Sequence, residues 1–204
     1  MNACSAKDVR RRLARAAVAA ALGIGIVLSA TAAVGSGRPG ESPVSPDSLI
    51  LTRPHVVVLK SGRKLHLFDG ERLVRSYPVD LGLDPIGQKV VARDTRTPVG
   101  TFRIVSTNAA SPYHRFLGLD YPDASAARFG LTAGLISPGE AAGIVQALTA
   151  GRRPSWSTDL GGGVGIHGRR RGLDWTGGCI AMDDRQVEEL FDVLRIGDRV
   201  EILP

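Results

Sequence analysis

The chain has 204 residues and a net charge of +6, which allows one globular domain and a short targeting segment. Residues 1–33 carry +4 of that charge, which leaves only +2 for the rest of the chain. A nearly neutral domain lacks the basic surface that nucleic-acid binding requires, so we expect no nucleic-acid partner.

The N-terminus has the three parts of an export signal. A cluster of arginines (Arg10–Arg12 and Arg15) precedes an apolar run over 16–34, and Ala30-Thr31-Ala32 is a typical cleavage pattern. We predict that residues 1–33 are a signal peptide, with an uncleaved N-terminal anchor as the alternative and the only membrane contact. The mature protein is then exported to the periplasm or cell envelope.

A linker precedes the folded domain. Residues 34–52 are rich in Gly, Pro and Ser and too poor in apolar residues to build a core, which predicts a linker there and one domain over 53–204. Short apolar segments joined by glycine-containing turns then predict an antiparallel meander. The predicted strands are 55–60, 65–68, 73–79, 101–105, 164–167 and 199–203.

Two helices interrupt the strands. The segment Ser137–Glu140 has the pattern of a capping box with proline at the first helical position, and predicts a helix to about Thr149. Asp183, with Gln186 three residues later, predicts the start of a second helix. Its apolar residues share one face: Val187, Leu190, Phe191 and Leu194. The domain is predicted to be mainly β with two flanking helices.

Cys179 is the residue whose chemistry most clearly indicates a function. The other cysteine, Cys4, lies in the predicted signal, so the exported domain would carry one thiol, which pairs with another chain or is reactive. His167 lies twelve residues earlier, and an imidazole can accept a thiol proton and return it to a leaving amine. The flexible backbone before Cys179 makes the N–H groups of Gly178 and Cys179 candidate oxyanion donors.

Two other interpretations compete with the nucleophile. A lone cysteine can be a small buried hydrophobe, and a histidine at a strand end can be an ordinary hydrogen-bonded core residue. Zinc would need three or four ligands, and the remaining histidines show no ligand spacing with Cys179, so we expect no metal site. From these residues alone, the nucleophile pair and the buried hydrophobe are equal alternatives.

Four segments, in the same order along the chain, carry a resemblance to a known family. They are Lys60–Phe68, Asp94–Phe102, Ile166–Gly168 and Thr176–Ile180. From about residue 54 to residue 204 the chain resembles the L,D-transpeptidase catalytic domains of bacterial cell-wall enzymes. The resemblance implies a β-sandwich with two flanking helices and a cysteine acyltransferase that needs no cofactor.

The resemblance also implies residue roles and partners. Cys179 attacks a peptide carbonyl, His167 is the base, and the backbone carbonyl of Gly168 orients the imidazole. The implied partners are the stem peptides of peptidoglycan, with a murein-linked lipoprotein as a further candidate. A sortase is disfavoured because it places its histidine much further from the cysteine; a non-catalytic cell-wall binding module is the remaining alternative.

The chain departs from the commonest family pattern at two positions. Gly177 stands where that pattern has a second histidine, and Ala181 stands where it has arginine or asparagine. The segment Asp174–Ala181 instead resembles a subgroup that includes enzymes hydrolysing or releasing murein-linked peptides. Transpeptidation and hydrolysis by a carboxypeptidase or endopeptidase are therefore both expected outcomes.

Four further residues are candidates for substrate binding. Trp175 and Thr176 belong to the cysteine motif, and Trp175 either lines the groove or anchors the loop. Tyr121 offers an apolar face with a hydrogen-bond donor. Arg169 is the first of three arginines after His167 and could pair with a stem-peptide carboxylate; a solvated loop is the alternative for each of them.

Overall fold

A computed structural model describes residues 49–204 of the chain. The predicted signal or anchor and the greater part of the predicted linker lie outside the described residues. Residues 52–204 form a compact unit. None of the helices between residues 49 and 204 is long and apolar enough to span a membrane.

Eight strands form a single sheet. They are β1 (Pro54–Leu59), β2 (Lys64–Asp69), β3 (Arg72–Pro78), β4 (Gly100–Ser111), β5 (His114–Leu119), β6 (Gly165–His167), β7 (Ile180–Ala181) and β8 (Arg199–Leu203). Side by side they lie in the order β3-β2-β1-β8-β4-β5-β6-β7. The pairs β1/β8 and β6/β7 are parallel and the others are antiparallel.

The meander predicted at the start of the domain is confirmed. β1 pairs antiparallel with β2, and β2 pairs antiparallel with β3. Val56, Val57 and Val58 are all buried, because side chains on both faces of β1 are covered. Three consecutive β-branched residues suit such a central strand, since their stiff side chains pack well on a pleated surface.

The sheet curls until strands from its two ends meet. Asp80, two residues beyond β3, forms an antiparallel bridge with Ala181 of β7, at the opposite end of the strand order. A second bridge joins Gly82 to Thr176. A flat sheet cannot bring its opposite edges into contact, so the strands form a curled half-barrel.

The described region contains three helices: α1 (Ala124–Thr132), α2 (Pro138–Thr149) and α3 (Asp184–Val193). The capping box predicted for α2 is confirmed, because Ser137 accepts from the Glu140 N–H and Glu140 accepts from the Ser137 N–H. α1 and α2 pack around a small apolar cluster that includes Ile144 and Leu160. α3 packs against β5 and β6.

The structure corrects the predicted architecture in two respects. The strands form one curled sheet, where a two-sheet sandwich was predicted, because the segment 79–82 joins the two ends of the strand order. α1 was not predicted, so the domain is a mixed α/β fold with three helices, where a mainly β fold with two helices was expected.

Candidate active site

The two candidate catalytic residues lie on short neighbouring strands. β6 ends at His167, Cys179 immediately precedes β7, and the parallel register places His167 opposite Ala181. The first observed pair is Ile166 with Ile180, and extension of this register by one residue would place Gly165 opposite Cys179. Opposed residues, and residues two apart on one strand, point to the same face of a sheet. On this extension, the side chains of His167 and Cys179 share one face.

The thiol of Cys179 is half-buried and protonated at neutral pH. Its Sγ lies 3.3 Å from the carbonyl oxygen of Gly163, to which the thiol donates a hydrogen bond. Burial raises the pKa of Cys179 to about 11, against the smaller lowering effects of a hydrogen bond from the Gly165 backbone and the positive charge of Lys89. Cys179 therefore needs a base before it can act as a nucleophile.

His167 is buried and held in one tautomer. Its Nδ1 lies 2.7 Å from the carbonyl oxygen of Gly168, and because a carbonyl can only accept, Nδ1 carries the proton. Nε2 is then the nitrogen with a free lone pair. Burial lowers the pKa of His167, although the hydrogen bond to the Gly168 carbonyl acts in the opposite direction. A neutral imidazole of this kind can accept a proton at neutral pH.

An aromatic side chain and a glycine shape the same face beside Cys179. Phe116 of β5 stands opposite His167 in the antiparallel register. A Cβ atom on Gly165 would lie only 2.5 Å from the Phe116 ring. The ring therefore lies over Gly165, and only glycine leaves room for it. Phe116 was not singled out from the sequence, because its proximity depends on strand pairing.

Two more aromatic rings surround His167. The centroid of its ring lies 4.9 Å from that of Tyr113 and 5.8 Å from that of Trp175. The guanidinium of Arg171 lies 3.8 Å from the Trp175 centroid. The structure thus places Trp175 directly beside the imidazole, where its large apolar surface restricts the ring and excludes water.

Thr176 organises the turn that leads into Cys179. Its side chain is buried, and its hydroxyl donates to the carbonyl of Cys179 (2.7 Å) and accepts from the N–H of Gly178 (3.1 Å). The structure thus places Thr176 inside the turn, away from solvent. The Gly178 N–H, one of the two predicted oxyanion donors, is already bound to Thr176.

Position 178 requires glycine because of its backbone conformation and the close packing of a neighbouring backbone atom. Its φ of +129° is one that other residues rarely adopt, and an added Cβ would lie 2.7 Å from the carbonyl oxygen of Arg96. We expect Gly178→Ala to lower the free energy of unfolding by about 1–3 kcal/mol, measured by urea denaturation.

Gly177 provides the matched control for this prediction. An added Cβ there meets no heavy atom within 4 Å. We expect Gly177→Ala to change the free energy of unfolding by less than about 1 kcal/mol. Equal losses of stability in the two variants would contradict the assignment of strain to Gly178.

Two other residues predicted to bind substrate lie outside this cluster. Tyr121 is 1% exposed, and its phenol lies 3.4 Å from the carbonyl oxygen of Leu160, inside the core. Arg169 is exposed, with its backbone N–H bound to Asp184. Of the predicted residues, the structure brings together His167, Gly168, Trp175, Thr176, Gly178 and Cys179 but leaves Tyr121 in the core and Arg169 at the surface.

Asp174 anchors the loop between the two candidate catalytic residues, a role not predicted from the sequence. It accepts from the guanidinium of Arg63 at 2.6 and 3.1 Å and from the N–H of Leu81 at 2.9 Å. Its place in the cysteine motif was visible, but its partners lie about 90 to 110 residues away in the chain. No group of three or more His, Cys, Asp or Glu residues in the described part of the chain could hold a metal ion.

A family model identifies the domain. The YkuD model, described as the L,D-transpeptidase catalytic domain, matches residues 53–202. The chain belongs to the YkuD family. The family acts on peptidoglycan peptides, and its members are cysteine enzymes. A comparison of the chain with curated proteins found no match.

A comparison with solved structures found matches to this YkuD domain at low identity. The helical cell shape determining protein Pgp2 from Campylobacter jejuni is 21% identical with a TM-score of 0.50, over 74% of this chain and 47% of Pgp2. Bd1075 from Bdellovibrio bacteriovorus is 20% identical with a TM-score of 0.49, over 75% and 48%. An L,D-transpeptidase from Mycobacterium smegmatis is 11% identical with a TM-score of 0.46, over 74% and 59%. The chain spans about half the length of Pgp2 and Bd1075.

Proposed function

We propose that this chain is an exported cysteine acyltransferase that acts on the stem peptides of peptidoglycan, an L,D-transpeptidase with Cys179 as nucleophile and His167 as base. One observation carries the proposal. The Gly168 carbonyl holds Nδ1 of His167 protonated, which leaves Nε2 as an acceptor, and Cys179 immediately precedes the strand that pairs with β6. Peptidoglycan lies outside the cytoplasmic membrane, so the proposed location is the periplasm or cell envelope, consistent with a signal peptide or anchor at 1–33.

The first half-reaction forms a thioester. Nε2 of His167 takes the proton from Sγ of Cys179, and the thiolate attacks the carbonyl carbon that joins the L-centre of a diamino acid to D-alanine. The tetrahedral oxyanion collapses, the C–N bond breaks, and the D-alanine amine leaves with the proton that His167 returns. No cofactor or metal takes part in these steps.

The oxyanion requires hydrogen-bond donors at the carbon under attack. Since the Gly178 N–H already donates to Thr176, the N–H of Cys179 is the remaining proposed donor from this turn. The Thr176 hydroxyl, which also binds the Cys179 carbonyl, keeps that peptide unit in place. We assign Trp175 a contact with the stem peptide beside His167, and Arg169 a contact with its carboxylate at the surface.

In the second half-reaction an acceptor resolves the thioester. When the amine of a second stem peptide attacks, a cross-link forms, and His167 takes the proton of the attacking amine. When water attacks, the product is a shortened peptide. When the substrate is a murein-linked lipoprotein, attack by water releases the lipoprotein. Both routes regenerate the Cys179 thiol.

Hydrolysis is a specific second candidate because of Gly177. This residue is exposed, and a side chain built on it would meet no heavy atom within 4 Å. The position next to Gly178 and Cys179 therefore presents no side chain to hold an acceptor amine. Open space beside a thioester allows water to compete with an amine for the acyl group.

Product analysis separates the candidates. The full chain is incubated with disaccharide tetrapeptides, and the products are identified by mass spectrometry beside a Cys179→Ala control. A cross-linked dimer would establish transpeptidation, and a disaccharide tripeptide alone would establish hydrolysis. An unchanged mixture with both proteins would reject both enzymatic proposals and favour a non-catalytic cell-wall binding module.

A further inference from the structure

Asp80 is a buried residue that binds two parts of the candidate active site: β7, which follows Cys179, and the loop that follows His167. Its backbone pairs with Ala181 of β7 through two hydrogen bonds of 2.9 Å, Asp80 N–H to Ala181 O and Ala181 N–H to Asp80 O. Ala181 lies two residues after Cys179. The backbone of Asp80 therefore fixes the strand that immediately follows the proposed nucleophile.

The side chain of Asp80 binds the loop that follows His167. Its Oδ2 accepts from the N–H of Arg171 at 2.6 Å and from the N–H of Gly172 at 3.0 Å. Its Oδ1 lies 3.5 Å from Nη1 of Arg170. The residue is 3% exposed, so these partners replace water around the charge.

Strand register places Asp80 in line with the proposed base. His167 stands opposite Ala181, and Ala181 stands opposite Asp80. Directly opposed residues share a face, so the three side chains point to the same side of the sheet.

The loop that Asp80 holds begins with the carbonyl that orients His167. Gly168 supplies the 2.7 Å hydrogen bond to Nδ1, three residues before the first N–H that Asp80 binds. The same loop is attached at Arg170, whose N–H donates to the carbonyl of Met182. If the Asp80 acceptor were removed, the N–H groups of Arg171 and Gly172 would lose their shared partner, and the loop would no longer be held against β7 at this point.

We propose that Asp80 is a positioning residue, which sets the orientation of the His167 imidazole relative to Cys179 by holding residues 168–172 against β7. This inference rests on the proposed function of Cys179 and His167. Asp80 touches neither the thiol nor the imidazole. Its effect passes through the Gly168 carbonyl, which keeps Nε2 as the accepting nitrogen.

The first test separates positioning from binding. In the full chain, Asp80→Ala is expected to lower kcat on disaccharide tetrapeptide roughly 10- to 100-fold and to change KM less than about 3-fold. Asp80→Asn is expected to restore kcat to within about 3-fold of wild type, because its amide oxygen can still accept from both loop N–H groups. An unchanged kcat in Asp80→Ala would overturn the proposal.

The second test needs no substrate. The rate at which iodoacetamide alkylates Cys179 at neutral pH reports whether an imidazole assists the thiol. Introduced alone, Asp80→Ala is expected to lower this rate about 10-fold relative to wild type. Introduced together with His167→Ala, it is expected to lower the rate less than about 2-fold relative to His167→Ala alone. An equal loss in both backgrounds would show that Asp80 does not act through His167. Because this assay needs no turnover, it decides the positioning role even if wild type forms no product.

Asp69 is the matched control. Its carboxylate also accepts from two backbone N–H groups, those of Thr52 (3.0 Å) and Arg53 (2.7 Å), with Arg72 at 3.6 Å. It lies at the end of β2, and none of these partners belongs to the candidate site. Asp69→Ala is expected to leave kcat within about 2-fold of wild type. A loss of kcat as large as that of Asp80→Ala would overturn the proposal.

A further variant covers the case in which Asp80→Ala does not fold. Asp80→Glu keeps the charge and the acceptor but moves the loop outward by one methylene. Because small displacements of catalytic groups are costly, we expect a kcat roughly 10-fold below wild type. A kcat equal to wild type in a folded Asp80→Glu protein would overturn the proposal.

Discussion

The full chain is expected to gain the mass of one acyl group on incubation with a carbapenem, and Cys179→Ala is expected to gain none. The thiolate of Cys179 should open the strained lactam amide by the same attack that it makes on a peptide carbonyl, with His167 as base. Alanine has no nucleophilic atom, so turnover of disaccharide tetrapeptides should fall to background in the same variant. Intact-mass spectrometry and product analysis measure the two effects.

Cys4 provides the control within the same chain. A Cys4→Ser variant should acquire the adduct at the wild-type rate, since Cys4 lies in the predicted export signal. A modified Cys179→Ala protein, or an unmodified Cys4→Ser protein, would show that the adduct does not report on Cys179. An inert wild-type protein would favour the binding-module alternative.

Replacement of His167 by alanine is expected to lower the rate of Cys179 acylation by about 10²- to 10⁴-fold, the usual contribution of a general base. The pKa of Cys179 is about 11, whereas burial lowers the pKa of His167 below its ordinary value of 6.5. The resting pair is therefore a neutral thiol and a neutral imidazole, and the imidazole must remove the proton during attack. Stopped-flow or quenched acylation assays measure the loss.

The same shift defines the pH dependence. The imidazole accepts a proton only while it is neutral, so the acylation rate of wild type should fall as pH falls through the lowered pKa of His167, on the acid side of 6.5. Because the pKa of His167 is lower in the folded protein than in the unfolded chain, this histidine contributes to the stability of the fold above pH 6.5. That contribution is lost as pH falls through the pKa of His167 in the folded state. A rate that declines already above pH 6.5 would contradict a neutral, buried base.

His66 is the matched control for His167. It is also buried, its pKa is also lowered mainly by burial, and its Nδ1 lies 2.7 Å from the Ser76 hydroxyl, between β2 and β3. His66→Gln should keep the wild-type rate and the wild-type acid limb. If it lowered acylation as much as His167→Ala does, loss of a buried histidine, and not loss of a base, would explain both results.

Local patterns were sufficient to predict several elements. The meander and α2 are encoded over a few residues each, as the capping box at Ser137 shows. α1 was missed because it has no apolar stripe: its buried positions include Gly130, which packs closely against Leu160, about 30 residues further along. Asp123 caps this helix and was the one local signal that could have indicated it.

The chemical identity of the site was accessible from the sequence, because a lone thiol, a histidine and a glycine-rich turn lie within about a dozen residues of one another. Their geometry was not accessible. The tautomer of His167 depends on one backbone carbonyl, and the loop before Cys179 depends on Asp80 and Asp174, whose partners lie about 90 to 110 residues away. Short-range composition can encode which groups react, whereas pairing between distant segments, which brings the ends of the sheet together, sets how those groups face each other.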